Sequence, residues 1–355
     1  MSRFLSKRYH DLEPYAPGEQ PKGRYIKLNA NETSCPPSPA VLKALHSARM
    51  NGLGRYTDPS SRELKRALAS HYEVKTDEIF VGNGCDEILG FIYLTFFEGA
   101  RVCFPDITYN FYQTLAQTFS VDYKEIPLKA DFTVNAKAFA ETDRHIVLPN
   151  PNAPTGYVLP VSTIEKIVAA HPERLVVIDE AYVDFGNESC VPLVHKYDNL
   201  IVIHTMSKSR NLAGAHIGYC FANAALIRDL ESMKGSFNPF NLNDINLAIG
   251  TAAVNDTEYL KKSVEAVIAA RDYATAELRK MDFYVLESHA NFIFVSHPWL
   301  SAPEYQAELR RYGILTRYYK DPERIRNFLR ITIGTMEEMQ AVIAATSEIL
   351  LRAAA

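Results

Sequence analysis

Between Leu175 and Gly218 the chain carries two short apolar segments that each deliver reactive side chains at their C-terminal end. The first, LVVIDEAY (Leu175 to Tyr182), is continuously apolar until it closes on two acids. The second, LIVIHT (Leu200 to Thr205), empties into the polar turn Met206-Ser207-Lys208-Ser209-Arg210. Apolar runs without alternation suit strands buried on both faces, the situation of a parallel sheet covered by helices. In open sheets of that kind, ligands bind in the crevice beyond the strands' C-terminal ends. Asp179, Tyr182 and Lys208 are therefore the first candidates for a site.

The pattern recurs upstream. Ile79-Phe80-Val81 runs into Gly82-Asn83-Gly84-Cys85-Asp86-Glu87 and an apolar helix ending near Gly99. Arg101 to Phe104 leads to PDITYNFY, which places Tyr109 at the start of the next helix, and His145 to Leu148 leads to NPNAPTG. Strands alternating with helical segments predict a mostly parallel α/β sheet over roughly residues 45 to 250. Ahead of it, a helix is expected within residues 36–50, closed by Asn51-Gly52-Leu53-Gly54. A second helix follows a cap at Ser60 or Ser61, which leaves Tyr56 in an exposed turn.

A strand, a glycine turn and a helix N-terminus at Gly84 offer unpaired amides to an anion. The turn is not a dinucleotide fingerprint, because Glu87 stands where the third glycine would be, and it lacks the lysine of a P-loop. A capped helix without a ligand accounts for it equally well.

Beyond Thr257 the order changes. Leu260, Val264, Val267, Ile268 and Leu278 recur at helical spacing and predict one long connecting helix to Met281. Strands near 283–286, 291–295, 314–317 and 328–333, with helices near 303–312 and 336–352, suit a small α+β unit. The first 35 residues read as an irregular arm interrupted by Pro14, Pro17, Gly18, Pro21 and Gly23, before a short strand at Tyr25 to Leu28. At 355 residues the chain exceeds the size at which one core usually stops growing. The expected division is 1–44 as arm and part of a small domain, 45–252 as a large domain, and 253–355 as connecting helix and small domain.

Charge and cysteine usage narrow the partners. A net charge of −4 with no basic cluster leaves no electrostatic footprint for nucleic acid or an anionic membrane. No long apolar run predicts a membrane span, and the N-terminus lacks the apolar core and cleavage pattern of a secretion signal. Five scattered cysteines without C-x-x-C suit reduced thiols in the cytoplasm, and ten histidines without H-E-x-x-H give no metal site. A small-molecule partner is the expectation that remains.

Asp179 follows Val176-Val177-Ile178, where a carboxylate is costly to keep ionised without a cation. A protonated cofactor ring nitrogen would serve, although helix capping or an arginine partner is the simpler account of a lone aspartate. Most lysines in serine-rich turns are solvated. Lys208, however, directly follows a buried strand, so its amine can enter the crevice of Asp179, where desolvation favours the neutral nucleophile of a Schiff base. Thr205 and Ser207 flank it with hydroxyls suited to a phosphate. Arg330, in FLRITI, alternates onto the face of Phe328 and Thr332 and needs an anion, either an internal acid or a ligand.

NPNAPTG (Asn150 to Gly156), DEAY (Asp179 to Tyr182) and HTMSKSRNLAG (His204 to Gly214), in this order, resemble the fold-type I aminotransferases that use pyridoxal 5′-phosphate. LEPYAPGEQP, LNANET, YTDP, VGNGCDE, NFIFV and LRITIGT resemble the histidinol-phosphate aminotransferase branch, so the likeness runs from about Leu12 to Thr335. The resemblance implies a mostly parallel sheet in a large three-layer domain beside a smaller α+β domain. It implies that Lys208 forms the Schiff base and moves the substrate proton, that Asp179 holds the ring nitrogen protonated, and that Tyr182 bonds the ring hydroxyl while Tyr109 stacks on the ring. Gly84, Cys85, Asp86, Thr205 and Ser207 would cradle the phosphate, with Tyr56 reaching the neighbouring subunit's phosphate in a homodimer of composite sites. Tyr15, Asn31, Arg317 and Arg330 would hold the substrate, the arm acting as a lid. The implied reaction, in histidine biosynthesis, interconverts L-histidinol phosphate and 2-oxoglutarate with imidazole acetol phosphate and L-glutamate. An aromatic amino-acid aminotransferase or a threonine-phosphate decarboxylase would share the scaffold, and a degenerate cofactor-binding protein would lack the lysine or the acid. Two positions depart from the pattern. Ala153 replaces the usual asparagine, whose bond to the ring hydroxyl is then lost or made by Asn152. His216 replaces the usual phosphate-binding arginine, with Arg210 as the alternative source of charge.

Overall fold

The computed structural model describes residues 2–10, 12, 15, 18–20, 22–47 and 54–353. The expected arm prolines at 14, 17 and 21 and the helix-ending residues 51–53 lie outside them. The first half of the chain forms β1 (Ile26–Lys27), α1 (Pro39–Ser47), α2 (Arg62–Tyr72), β2 (Ile79–Gly82), α3 (Gly84–Phe96), β3 (Arg101–Pro105), α4 (Phe111–Phe119), β4 (Asp122–Ile126), α5 (Ala136–Ala140) and β5 (His145–Pro149). It continues through α6 (Val161–Ala169), β6 (Val176–Asp179), β7 (Leu200–Thr205), β8 (Gly218–Ala222), α7 (Ala224–Phe237), α8 (Asp244–Asn255) and α9 (Thr257–Lys280). The last segment adds β9 (Tyr284–Val285), β10 (Phe292–Ser296), α10 (Ala302–Arg311), β11 (Ile314–Leu315), β12 (Arg317–Tyr318), β13 (Leu329–Thr332) and α11 (Met336–Ala353).

Seven strands make one sheet in the order β2-β8-β7-β6-β5-β3-β4. Every pairing is parallel except the two made by β8, which runs antiparallel between β2 and β7. The absence of polar alternation in these strands has its reason in the layers above and below. Val176, Ile178, Leu200 and Val202 enter one core, while Val177, Ile201 and Ile203 enter the other. Both faces are covered, so each residue of β6 and β7 is buried and their polar ends are confined to one rim.

A second sheet, β12-β13-β10-β9, is antiparallel and packs against α9, α10 and α11 around its own core of Val267, Phe283, Ile293, Ile331 and Met339. The N-terminal strand joins this part of the molecule, because β1 pairs in parallel with β11, Ile26 opposite Ile314. The expected cap of α2 is corrected: Ser61 lies at the N-cap with φ 48° and its side chain makes no capping bond. Asp58 does that work instead, its carboxylate accepting from the amides of Ser60 and Arg62 at 3.1 Å each.

Candidate active site

The C-terminal ends of β5, β6 and β7, the start of α3 and the tips of β12 and β13 surround a cavity of about 270 Å³. Asp179, Tyr182, Thr205, Ser207 and Lys208 all line it, with Cys85, Asp86, Tyr109 and His216 on one side and Tyr15, Asn31, Arg317 and Arg330 on the other. Residues from both ends of the chain thus meet because strand ends and turns share one rim.

Asp179 is buried at the end of β6. One carboxylate oxygen accepts from the Tyr112 hydroxyl at 2.7 Å and the other from the Ala181 amide at 3.1 Å. Burial pushes its carboxyl above the usual range, and these two donors pull it back. Across the cavity the Lys208 amine lies 5.9 Å from the centre of the Tyr182 ring. Burial lowers its pKa, helped by the Arg330 charge and opposed by Glu32, Cys85 and Asp86.

Asn31 links the arm to this centre. Its side-chain amide donates to the Tyr182 hydroxyl at 2.9 Å, while Thr332 of β13 and Asn291 beside β10 hold its backbone. With φ at 53°, Asn31 occupies the left-handed region, where asparagine is tolerated better than most residues. The Tyr109 hydroxyl donates to Asp86 at 3.1 Å, and Tyr15 meets the Tyr109 ring edge-on with centres 5.6 Å apart.

The phosphate corner is built by close approach. A methyl group at Gly84, which has φ +79°, would stand 2.6 Å from the His216 ring, and one at Gly218 would stand 2.5 Å from the Gly84 carbonyl carbon. The imidazole therefore lies directly over the start of α3, where the helix presents amides and a positive dipole end. Thr205 donates to Ser207 at 3.0 Å beside it. At the opposite end, Arg317 and Arg330 are direct cross-strand partners on β12 and β13. Arg330 donates to the Asn29 carbonyl at 2.9 Å, and its buried Nε has no hydrogen-bond partner among the described residues.

Several expectations are corrected. Asn152 does not line the cavity: its amide donates to the Ile107 carbonyl and to Thr155, both at 2.9 Å, and its oxygen accepts from Thr108, so Ala153 alone faces inward. Arg210 is buried away from the cavity, donating to the Ala253 carbonyl at 2.7 Å and lying 3.2 Å from His71, so it does not reach the corner where His216 lies. Gly84, whose amide opens α3, sits beneath the imidazole, and Cys85 and Asp86 line the wall beside it. Tyr56, expected to act on a neighbouring subunit, is not among these corrections: it is 83% exposed, stacks on Phe240 with ring centres 4.4 Å apart, and does not line this chain's own cavity. Sequence reasoning missed Tyr112 and Glu32. Tyr112 lies on the buried side of an amphipathic helix, where a tyrosine reads as core, and Glu32 reads as an ordinary surface acid paired with Lys27. Among the described residues no cluster of three His, Cys, Asp or Glu could hold a metal ion, and no helix is long and apolar enough to cross a membrane.

The donor set has the form of one cofactor. A readily deprotonated lysine suits an aldehyde, a buried acid suits a pyridine nitrogen, a tyrosine suits a ring hydroxyl, and the α3 corner suits a phosphate. Fold and site together define a pyridoxal-phosphate-dependent enzyme of fold type I. Residues 24–345 match the family of class I and II aminotransferases, and the chain belongs to that family.

The chain is 43% identical over 345 residues to the histidinol-phosphate aminotransferase of Clostridium beijerinckii, covering 97% of this chain and 96% of that protein. It is 44% identical to histidinol-phosphate aminotransferase 2 of Dechloromonas aromatica, covering 98% and 99%. The crystal structure of histidinol-phosphate aminotransferase from Sinorhizobium meliloti in complex with pyridoxal-5′-phosphate superposes with a TM-score of 0.87 at 23% identity, covering 100% and 99% of the two chains. Aspartate aminotransferase from Thermus thermophilus with maleate gives 0.83 at 17%, covering 98% and 100%. At these identities the superpositions show the shared fold.

Proposed function

We propose that this aminotransferase interconverts L-histidinol phosphate and 2-oxoglutarate with imidazole acetol phosphate and L-glutamate. The observation that carries the reading is the opposed pair Arg317 and Arg330 at the cavity that holds Lys208. A phosphate ester or a dicarboxylate between the two guanidinium groups would be clamped from both strands, and the Arg330 Nε, which has no hydrogen-bond partner among the described residues, is ready to donate. The substrate named for the relatives has such a phosphate.

Pyridoxal phosphate, when bound, supplies an aldehyde for the amine and a ring that accepts electrons from the α-carbon. The protein does the rest. Lys208, whose pKa is lowered by burial and by the Arg330 charge, would be the amine that bonds the cofactor aldehyde and the base that moves the proton to and from the substrate α-carbon. Asp179 would hold a positive ring nitrogen, and Tyr182, itself oriented by Asn31, would bond the ring hydroxyl. His216, the α3 amides, Thr205 and Ser207 would hold the phosphate. Tyr15 and Asn31 of the arm cover the donor and exclude water.

The same reading includes a cytoplasmic homodimer in which Tyr56 enters the neighbouring subunit's site. The division into 1–44, 45–252 and 253–355 is part of it, supported by the separate core around the four-stranded sheet. The test is to mix the yellow, cofactor-loaded protein with histidinol phosphate, phenylalanine, tyrosine or glutamate and follow bleaching of the lysine-bound form. Histidinol phosphate and glutamate bleach it. If phenylalanine bleaches it readily and histidinol phosphate does not, the substrate assignment fails.

A further inference from the structure

The Asp179 carboxylate must stay ionised and aimed at the ring nitrogen in a place where burial opposes both requirements. Among the described residues its two oxygens have one hydrogen-bond donor each, and the donors differ in kind. The Ala181 amide comes from the same turn and would follow Asp179 wherever β6 ends. The Tyr112 hydroxyl comes from α4, sixty-seven residues earlier, and makes the shorter bond, 2.7 Å against 3.1 Å.

Tyr112 is fully buried, and its ring is fixed on two sides, edge-on to Tyr109 with centres 5.6 Å apart and tilted against Phe104 at 6.1 Å. The Tyr93 hydroxyl donates to the Tyr112 backbone carbonyl at 3.1 Å and anchors that turn of the helix. Among the described residues the acceptor that this buried hydroxyl meets is Asp179.

We propose that Tyr112 is a positioning residue for cofactor chemistry: by donating to Asp179 it fixes the carboxylate's direction and keeps it an anion that can pair with a protonated ring nitrogen. Hydrogen bonds that favour the charged form act in this sense, and in a dry site they act strongly. Tyr112 also couples the two walls of the site, because Tyr109, on the same helix approach, holds Asp86 by its own hydroxyl. The inference rests on the proposed role of Asp179, so its test separates the two.

Cofactor-free wild type, Tyr112→Phe, Asp179→Asn and the double variant are titrated with pyridoxal phosphate, and dissociation constants are compared alongside thermal melts. If the cofactor binds and Asp179→Asn does not weaken it, the role of Asp179 is wrong and falls before Tyr112 is considered. Given that Asp179→Asn weakens it, Tyr112→Phe is expected to weaken binding by roughly tenfold, the scale of one hydrogen bond to a charged group. The same change made in the Asp179→Asn variant is expected to cost less than about threefold, because coupled residues do not add. Additive losses, or no loss on Tyr112→Phe alone, would overturn the proposal. A second ligand makes the test independent of folding effects: 1-deazapyridoxal phosphate, with a carbon in place of the ring nitrogen, should bind wild type and Tyr112→Phe alike. A purely structural Tyr112 would lower both affinities equally.

Discussion

Lys208 combines a nucleophile's position with a cost to the empty protein, and the two can be measured apart. Its pKa in the fold lies below the ordinary 10.5, so between those values the unfolded chain binds more protons than the folded one. The penalty on cofactor-free stability is complete below the folded value and disappears as pH rises to 10.5. Lys208→Met should therefore raise the melting temperature of the cofactor-free protein at pH 7 by about 2 °C or more, with the gap closing toward pH 10. A gap independent of pH would show that desolvation of the amine is not its cause. Lys208→Ala should abolish bleaching with every donor, and residual turnover would defeat the mechanism. Arg330→Lys removes the planar fork while keeping the charge, so kcat/KM for the phosphorylated donor should fall by roughly 10- to 100-fold with most of the loss in KM. Asp179, Lys208 and Arg330 stand out in the sequence because a charge within or just beyond an apolar strand has a visible cost. Asn152 and Arg210 are not, because neither their partners nor their directions are local, and both are committed to backbone carbonyls.

At the scale of elements, the site depends on how closely β8 approaches the start of α3. Gly218 and Gly84 both lack a side chain at the contact, and a methyl at Gly218 would lie 2.5 Å from the Gly84 carbonyl carbon and 2.7 Å from the Cys85 nitrogen. Both obstacles are backbone, so neither can swing aside. Gly218→Ala should cost about 1–3 kcal/mol of stability by overpacking and, by pushing α3 from its seat, weaken pyridoxal phosphate as well. Thermal melts with a cofactor titration decide it: a lower melting temperature with unchanged affinity would place the effect in the core alone. The buried strands are readable because both sheet faces are covered, which removes polar residues from β6 and β7. Caps are less readable. Two serines before α2 offer the expected capping chemistry, but Ser61 adopts φ 48° and Asp58, one turn earlier, takes the amides. Position in sequence names the residue types, and backbone direction chooses among them.

At the scale of the whole molecule, the exposed aromatic residues are where the proposed dimer can be tested. Tyr56 and Phe237 are 83% and 75% exposed, and Phe240 stacks on Tyr56. Large apolar groups gathered in solvent usually mark a surface that another chain covers. If Tyr56 serves the neighbouring subunit's cofactor, each site of a symmetric dimer takes its lysine from one chain and this tyrosine from the other. Sedimentation should then show a dimer, with Tyr56→Ala weakening pyridoxal phosphate while the melting temperature of the cofactor-free protein changes little. Subunit mixing gives the sharper result. A Lys208→Ala chain paired with a Tyr56→Ala chain contains one site with both defects and one with neither. After joint unfolding and refolding of equal amounts, about a quarter of all sites should recover native affinity and turnover, the statistical share for a two-fold dimer. If Tyr56 acted within its own chain, every site would keep one defect and mixing would restore nothing.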